Sequence, residues 1–354
     1  MGIPDIPILA TAISLVICWS LFAILCSFIH ETAARTKSER GRFFREKLIQ
    51  QLRDRANDIN WGYLMYTHGN MDLLSQKSNA PAAEISPKIM AQTFMNVVSN
   101  AAIVNRHMPD KPLSDNVSPS TNNERVLEAF HTATSKLKQS DVVQMMQVSL
   151  QQANSKALHP ANFSALTDHA SIDKKFVSDE LEKQLTLWFE QFCDQCSNWY
   201  NIITRKRLFY LGVLLAVLLN VDSIGLFRYF LAQPNARAQV IGFYQQNADK
   251  LERLQQAITD TTGQPIDTVL LKEIRTEVKT LTKTAALPVG FNSWKEEPVI
   301  TRKTSKNESI SMMSTEWFSL LILKMIGLIL SGFAASIGAP FWFDLLKKVY
   351  NKKA

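Results

Sequence analysis

Three long apolar runs, bounded at one end or the other by basic residues, divide an otherwise polar, helix-favouring chain. The first extends from Ile3 to Ile29, about 25 residues, enough for a membrane-spanning helix with some tilt. Its leader carries Asp5 and no Lys or Arg, and the run exceeds the apolar core of a signal peptide. It therefore reads as a retained transmembrane helix. The second run occupies 208–231 and the third 317–343, from Trp317 to Phe343.

Between the first two runs, residues 31–204 show helical periodicity. Phe43, Phe44, Leu48, Leu52 and Ile59 predict that the first helix continues beyond the membrane to about residue 66. Ile89–Val104 predicts a buried helix, and the proline-rich stretch 109–123 a loop. Asn122 or Asn123 is placed to cap a helix from Glu124 to about Lys138. Asp141–Ala157 and Asp173–Tyr200 complete a small helical domain, the last helix with Leu181, Leu185, Trp188, Phe189, Phe192 and Trp199 at three- and four-residue spacing. Residues 232–316 hold two amphipathic segments on either side of Thr262-Gly263-Gln264-Pro265. They predict a helical hairpin, followed by an irregular polar stretch from Ala286 to Ser314.

Charge orients these elements. Arg35, Lys37, Arg40, Arg42, Arg45 and Lys47 follow the first run, and Arg205, Lys206 and Arg207 precede the second. Lys347, Lys348, Lys352 and Lys353 follow the third. Excess Lys and Arg marks the cytoplasmic ends of membrane helices. The N-terminus is thus expected outside, with 31–204 and the basic tail 344–354 in the cytoplasm and 232–316 outside. Arg302, Lys303 and Lys306 stand on the wrong side, but they are fewer and farther from a span. The fold class expected is all-α: a polytopic membrane protein with three transmembrane helices, a helical cytoplasmic domain and a small helical hairpin outside. The net charge of +7 gathers beside the apolar runs, which points to membrane lipids as partners. No basic stripe with interleaved aromatics is visible, so no nucleic acid is expected.

Polar residues inside the runs are the candidates for chemistry. Asn220, Asp222 and Ser223 interrupt the second, and Lys324 the third. Such groups are costly in hydrocarbon and need partners. Asp222 and Lys324 fall within about 5 Å of each other in depth, so they either pair or line a polar pathway. Small residues recur at four-residue spacing: Gly212, Ala216 and Asn220 in the second run, Gly327, Ser331, Ala335 and Ala339 in the third. Such seams let helices approach closely, within one chain or between protomers. If the two seams face each other, Lys324 meets Asn220 and Ser223. Asp222, about 200° round its helix from Asn220, then points to the first helix or a neighbouring protomer. Pro340, Phe341, Trp342 and Phe343 suit an anchor at the headgroup level, and Asp344 is placed to cap a short helix.

Enzyme signatures are missing. There is no phosphate-binding loop, zinc-protease motif or nucleophile elbow, and only 12 glycines in 354 residues from which to build phosphate-cradling loops. Cys193 and Cys196 form a C-x-x-C, but no second metal-binding spacing accompanies them, and two cysteines on one helix face account for the pair. No catalytic, cofactor or metal site is expected.

The segments LWFEQFCDQCSNWYNIITRKR, LLNVDSIGLFRYF, LPVGF and GAPFWFDLL together resemble a widespread family of uncharacterised bacterial integral inner-membrane proteins. That family carries Asn-x-Asp in a membrane helix, a Leu-Pro-x-Gly-Trp segment and a C-terminal Pro-Phe-Trp-Phe-Asp motif. Here Phe291 stands in place of the Trp, and Cys193 and Cys196 where the family has Met and Arg. The resemblance implies a bacterial inner membrane and a periplasmic location for 232–316. It implies no activity. The expected function is a non-enzymatic, membrane-anchored scaffold, sensor or adaptor recruiting a cytoplasmic protein. The alternative is one subunit of a homo-oligomeric pore or transport component lined by Asn220, Asp222 and Lys324.

Overall fold

The computed structural model describes residues 7–75, 81–82, 84–108, 119–157, 174–259, 268–290 and 312–351. The chain is essentially all-α. It divides into two compact units, one of Met1–Arg35 with Asn201–Ala354 and one of Thr36–Tyr200. The expected turn at 262–265, most of the expected irregular stretch after 290, Phe291, and Lys352 and Lys353 lie outside the described residues.

The Thr36–Tyr200 unit begins with α2 (Glu39–Gln51). Ser38, in the left-handed region at φ 49°, separates it from α1 (Pro7–Thr36), so the helix expected to run unbroken to residue 66 is broken there. A two-residue antiparallel ribbon, β1 (Arg53–Asp54) with β2 (Ile59–Asn60), breaks it a second time. Asp54 is buried and binds Asn57 through its backbone N–H (3.2 Å) and its side-chain amide (2.7 Å), which closes the ribbon's turn. Then come α3 (Trp61–Thr67), α4 (Gly69–Asp72), α5 (Pro87–Asn100), α6 (Ala102–Asn105), α7 (Pro119–Lys136) and α8 (Asp141–Ala157). α7 starts at Pro119 rather than at an Asn122 or Asn123 cap, because proline suits the first turn, where its missing N–H costs nothing. The unit closes with the first part of α9 (Lys174–Leu219).

Phe94 on α5 is the hub of this core. Its ring meets Trp61, Phe130 and Phe189 at 6.2, 6.0 and 6.1 Å, each edge-on, and all four side chains are fully buried. Edge-to-face pairing adds to the burial of such rings and ties α3, α5, α7 and α9 together. Glu180 is the buried charge of the last helix, at 5% exposure. Its carboxylate accepts from Lys156 of α8, from Lys183 (3.3 Å) and from Gln184 (2.8 Å). Burial raises its pKa, but the three donors outweigh burial and hold it below its ordinary 4.5.

The other unit holds α1, the rest of α9, α10 (Ser223–Ala232), α11 (Pro234–Thr259), α12 (Thr268–Thr284), α13 (Met312–Ile337) and α14 (Ala339–Asn351). Two of its helices, Pro7–Thr36 and Phe318–Ile337, are long and apolar enough to cross a membrane. The pair α9–α10, bent by 55°, makes up to three if it counts as one span. The exposed face of α13 is mostly apolar, as at Phe318, Leu320, Met325 and Phe333, while that of α10 carries Phe227 and Leu231 beside an exposed Arg228. By contrast α1 is buried along much of its length, with Ile17, Ala23 and Cys26 fully covered.

α11 of the amphipathic hairpin meets α1 near both of its ends. Near the start of both helices, Arg237 Nη1 of α11 donates to Thr11 Oγ1 of α1 at 3.3 Å. Near the end of both, Arg35 Nη2 donates to the carbonyls of Ala257 (3.4 Å) and Ile258 (3.1 Å). The two helices therefore run in the same direction with shared ends, for on the order of 30 to 36 Å. α12 returns, with Glu277 bound to Lys250 at 2.9 Å and the carbonyl of Ala285, just past its end, accepting from Tyr229 Oη at 2.6 Å. α11 thus runs beside α1, and its Val240, Tyr244, Leu251, Leu254 and Ile258 form an apolar stripe in the core of this unit.

Glu180 carries a pH prediction. A carboxylate whose pKa is lower folded than unfolded stabilises the fold above its unfolded pKa, and that contribution is lost as pH falls through the folded value. Glu180→Gln should cost about 1 kcal/mol at pH 7, since both lysine partners are largely exposed. It should also flatten the loss of thermal stability between pH 6 and pH 3. Equal acid sensitivity of the two proteins in a melting series would contradict this assignment.

Candidate functional site

The most distinctive site in the chain is the break between α9 and α10. α9 ends in paired hydrogen bonds, Val221 N–H to the Ala216 carbonyl (2.9 Å) and Asn220 N–H to the Val217 carbonyl (3.3 Å). This is a Schellman ending, which requires a left-handed residue just after the helix. Asn220 supplies it at φ 50°, and Asn tolerates that region better than most residues with a Cβ. Two residues later Asp222 starts α10 as its N-cap, accepting from Ile224 N–H at 3.0 Å. Asn-x-Asp is thus a stop followed by a start, and the side chain of each residue has a backbone task.

Neighbouring elements satisfy the groups that this break exposes. The Leu219 carbonyl accepts from Gly290 N–H at 2.9 Å, and Asn220 Nδ2 donates to the Gly290 carbonyl at 3.2 Å. The Val221 carbonyl accepts from Ser331 Oγ of α13 at 2.7 Å. Ser331 Oγ also lies 2.7 Å from Ser223 Oγ, which accepts from Trp19 Nε1 of α1 at 2.9 Å. At the far end of α10, buried Arg237 donates to the Phe230 carbonyl at 3.1 Å, placing a cation at a helix C-terminus. Sequence reasoning named Asn220, Asp222, Ser223 and Ser331. It marked Gly290 only as part of the LPVGF segment, with no contact assigned to it, and missed Trp19 and Arg237, which lie about 200 residues away or beyond the apolar run and carry no local signal.

The small-residue seams do face each other. A Cβ on Gly212 would meet Ala335 Cβ at 2.7 Å, and Ala216, Ser331 and Ala335 are fully buried. The azimuth expected for Asp222 is corrected. Its carboxylate lies against Gly327 on the α13 seam, so close that a Cβ at Gly327 would overlap it. The reason is the break itself: Asn220 leaves the helical conformation, so counting 100° per residue across it fails. Among the described residues no salt bridge joins Asp222 to Lys324, which sits half-buried one turn before Gly327.

The C-terminal motif is also used differently. Gly338, at φ 93°, ends α13, and α14 starts at Ala339, so Asp344 lies inside that helix and caps nothing. Trp342 and Phe343 are buried, not presented to headgroups. Trp342 Nε1 donates to the Ala334 carbonyl (2.8 Å) and its ring meets Trp19 at 4.9 Å, while Phe343 meets Tyr244 at 6.4 Å. Only Pro340, Phe341 and Asp344 of that group are exposed. In the basic cluster, Arg35 pairs with Glu31 at 2.9 Å, Arg40 lies over the Tyr200 ring at 5.4 Å, and Lys47 over Trp199 at 5.6 Å. Arg42 and Arg45 belong to α2, Lys37 precedes it, and Arg205, Lys206 and Arg207 are exposed on α9.

In the Thr36–Tyr200 unit, Cys193 and Cys196 pack into the core, and burial pushes both thiols up to about 11. They are therefore poor nucleophiles at neutral pH. Among the described residues no three His, Cys, Asp or Glu converge as metal ligands. The same unit has a shallow groove of about 480 Å³ lined by Asp58, Tyr63, Leu64, His68, Asn100 and Ile103.

The break yields a graded mutational prediction. Asp222→Ala should destabilise the chain by about 1 kcal/mol through loss of the cap, and Asp222→Asn by much less. Gly327→Ala should cost more, roughly 1 to 3 kcal/mol, because the new methyl displaces the Asp222 carboxylate. Unfolding in detergent reads this order, and an Asp222→Asn variant as unstable as Asp222→Ala would show that the charge, not the cap, is what matters.

Comparison with protein-family models, with curated proteins and with solved structures returns no match for this chain.

Proposed function

We propose that this chain is one protomer of an oligomeric pore or transport component in a bacterial inner membrane. It would have three spans (α1, α9–α10 and α13), an outside N-terminus and a cytoplasmic Thr36–Tyr200 unit. The observation that carries this reading is the position of the α11–α12 hairpin. α11 meets α1 near both ends, while the hairpin's outer face presents Gln245, Gln246, Asp249, Arg253, Lys279 and Lys283, all exposed. α11 shares both ends of α1, over a length matching the roughly 30 Å hydrocarbon core. If α1 spans the membrane, that polar face lies at membrane depth. Each Lys, Arg or Asp facing lipid at the centre of the bilayer costs roughly 2.5 to 3.5 kcal/mol. Water avoids that cost, and one chain with three spans is too small to enclose water. Several copies can, with the mostly apolar face of α13 outward and the hairpins inward. The lining then belongs to the hairpin. Asn220 and Asp222 are occupied in holding the break.

This reading is non-enzymatic and predicts an assembly. Purified chain in lipid nanodiscs should run as a complex of several copies by mass measurement. A uniform single copy, across detergents and lipids, would defeat it.

A second reading, a membrane-anchored adaptor, is favoured by one feature of the Thr36–Tyr200 unit. Beside the groove, Tyr63 is 57% and Leu73 86% exposed, more than an isolated helical domain needs to show. If this surface recruits a protein, Tyr63→Ala combined with Leu73→Asp should leave folding intact and remove specific neighbours from proximity labelling in the native cell. An unchanged neighbour set counts against recruitment there.

A further inference from the structure

The hairpin's outer face carries a row of like charges as well as general polarity, and its meaning rests on the transport reading. On α12, Lys272, Arg275, Lys279 and Lys283 recur at intervals of three and four, so the four lie within about 80° of one another around the helix. All four are exposed, and among the described residues none takes part in a salt bridge. The acids nearby are tied elsewhere. Glu273 and Glu277 both turn to Lys250 of α11, at 3.6 and 2.9 Å, and Glu252 is bound to Lys347 of α14 at 2.5 Å. On α11 the exposed Asp249 is offset in charge by exposed Arg253 four residues on.

The depth of this row is set by its contacts. Lys283 stands two residues before Ala285, whose carbonyl holds Tyr229 Oη in the middle of α10. Lys279 is two residues beyond Glu277, which is bound to Lys250 in the middle of α11. From Lys283 to Lys272 the row then descends for roughly 16 Å toward the end where Arg35 caps the α11 carbonyls. A neutral polar face would suit a water path for any solute. A row of four cations, repeated by each protomer, raises the local concentration of anions and repels cations.

We propose that copies of this chain enclose a water-filled path lined by the outer face of α12, and that Lys272, Arg275, Lys279 and Lys283 make it selective for small inorganic anions. Chloride is the probe. The full chain, reconstituted into vesicles and planar bilayers of neutral and anionic phospholipid, is placed in a potassium chloride gradient. The reversal potential should lie on the chloride side. Replacing Arg275, Lys279 and Lys283 together by Glu should move it to the potassium side while the assembly keeps its size in nanodiscs. Because that triple change is drastic, Lys279→Cys offers a gentler measure. A negatively charged methanethiosulfonate should label it faster than a positively charged one, above the background of the parent chain.

The failures are distinguishable. An assembly that conducts without anion preference, or whose preference ignores the substitutions, overturns the anion lining and leaves the transport reading standing. A single copy without conductance overturns both. An assembly without conductance, whose Lys279→Cys is unlabelled in intact vesicles, shows that the row is buried between protomers and overturns the water path. Loss of binding to anionic vesicles in the triple variant, with no conductance in the parent, assigns the row to lipid headgroups and overturns the proposal.

Discussion

A helix that stops inside an apolar bundle exposes carbonyl and N–H groups that lipid cannot satisfy, and each must find a partner in the protein. The break at Asn220–Asp222 is arranged around that constraint. Asn220 closes one helix, Asp222 opens the next, and Ser331, Gly290 and Trp19 supply the remaining hydrogen bonds through Val221, Leu219 and Ser223. Those partners come from α13, from the segment after α12 and from α1, so the break also holds these elements together. Close approach at Gly212 and Gly327 makes the arrangement possible.

The two units solve different packing problems. The Thr36–Tyr200 unit is built as water-soluble domains are, with a ring cluster at Phe94 and a buried Glu180 neutralised by lysines that keep their own ends wet. The other unit is two-faced. Its α13 presents mostly Leu, Ile, Met and Phe, and α10 presents Phe227, Leu231 and Arg228, while α11 and α12 present Gln, Lys and Arg with Asp249 and Glu273. α1 is more deeply buried than α13, even though its mean hydropathy of 2.5 exceeds the 2.2 of Phe318–Ile337. In this unit hydropathy records length and spanning competence, and does not identify the surface that meets lipid.

Several expectations failed for one reason. The azimuth of Asp222, the cap at Asp344 and the unbroken helix from 31 to 66 all assumed that helical geometry continues across a residue that in fact leaves it. Asn220, Gly338 and Ser38 each adopt a left-handed conformation that interrupts the helical run. Asparagine in that region is a weak signal in a single sequence, and serine weaker still. The anchor reading of Trp342 and Phe343 failed differently. Aromatic side chains near the end of an apolar run suit a headgroup layer and a protein core equally, and only the presence of Trp19 and Tyr244 decides between them.

The sequence by itself determined the all-α class, the number of apolar runs, most helix positions in the Thr36–Tyr200 unit, the presence of small-residue seams and the amphipathic character of 232–284. These are periodic or compositional properties that each segment carries alone. Only the tertiary structure decided that α11 runs beside α1, that Asp222 caps a half-helix against Gly327, and that α12, with its row of exposed cations, packs against α11. Those outcomes depend on which apolar stripe finds which partner, and on hydrogen bonds between residues as much as about 200 positions apart. No local pattern encodes such pairings.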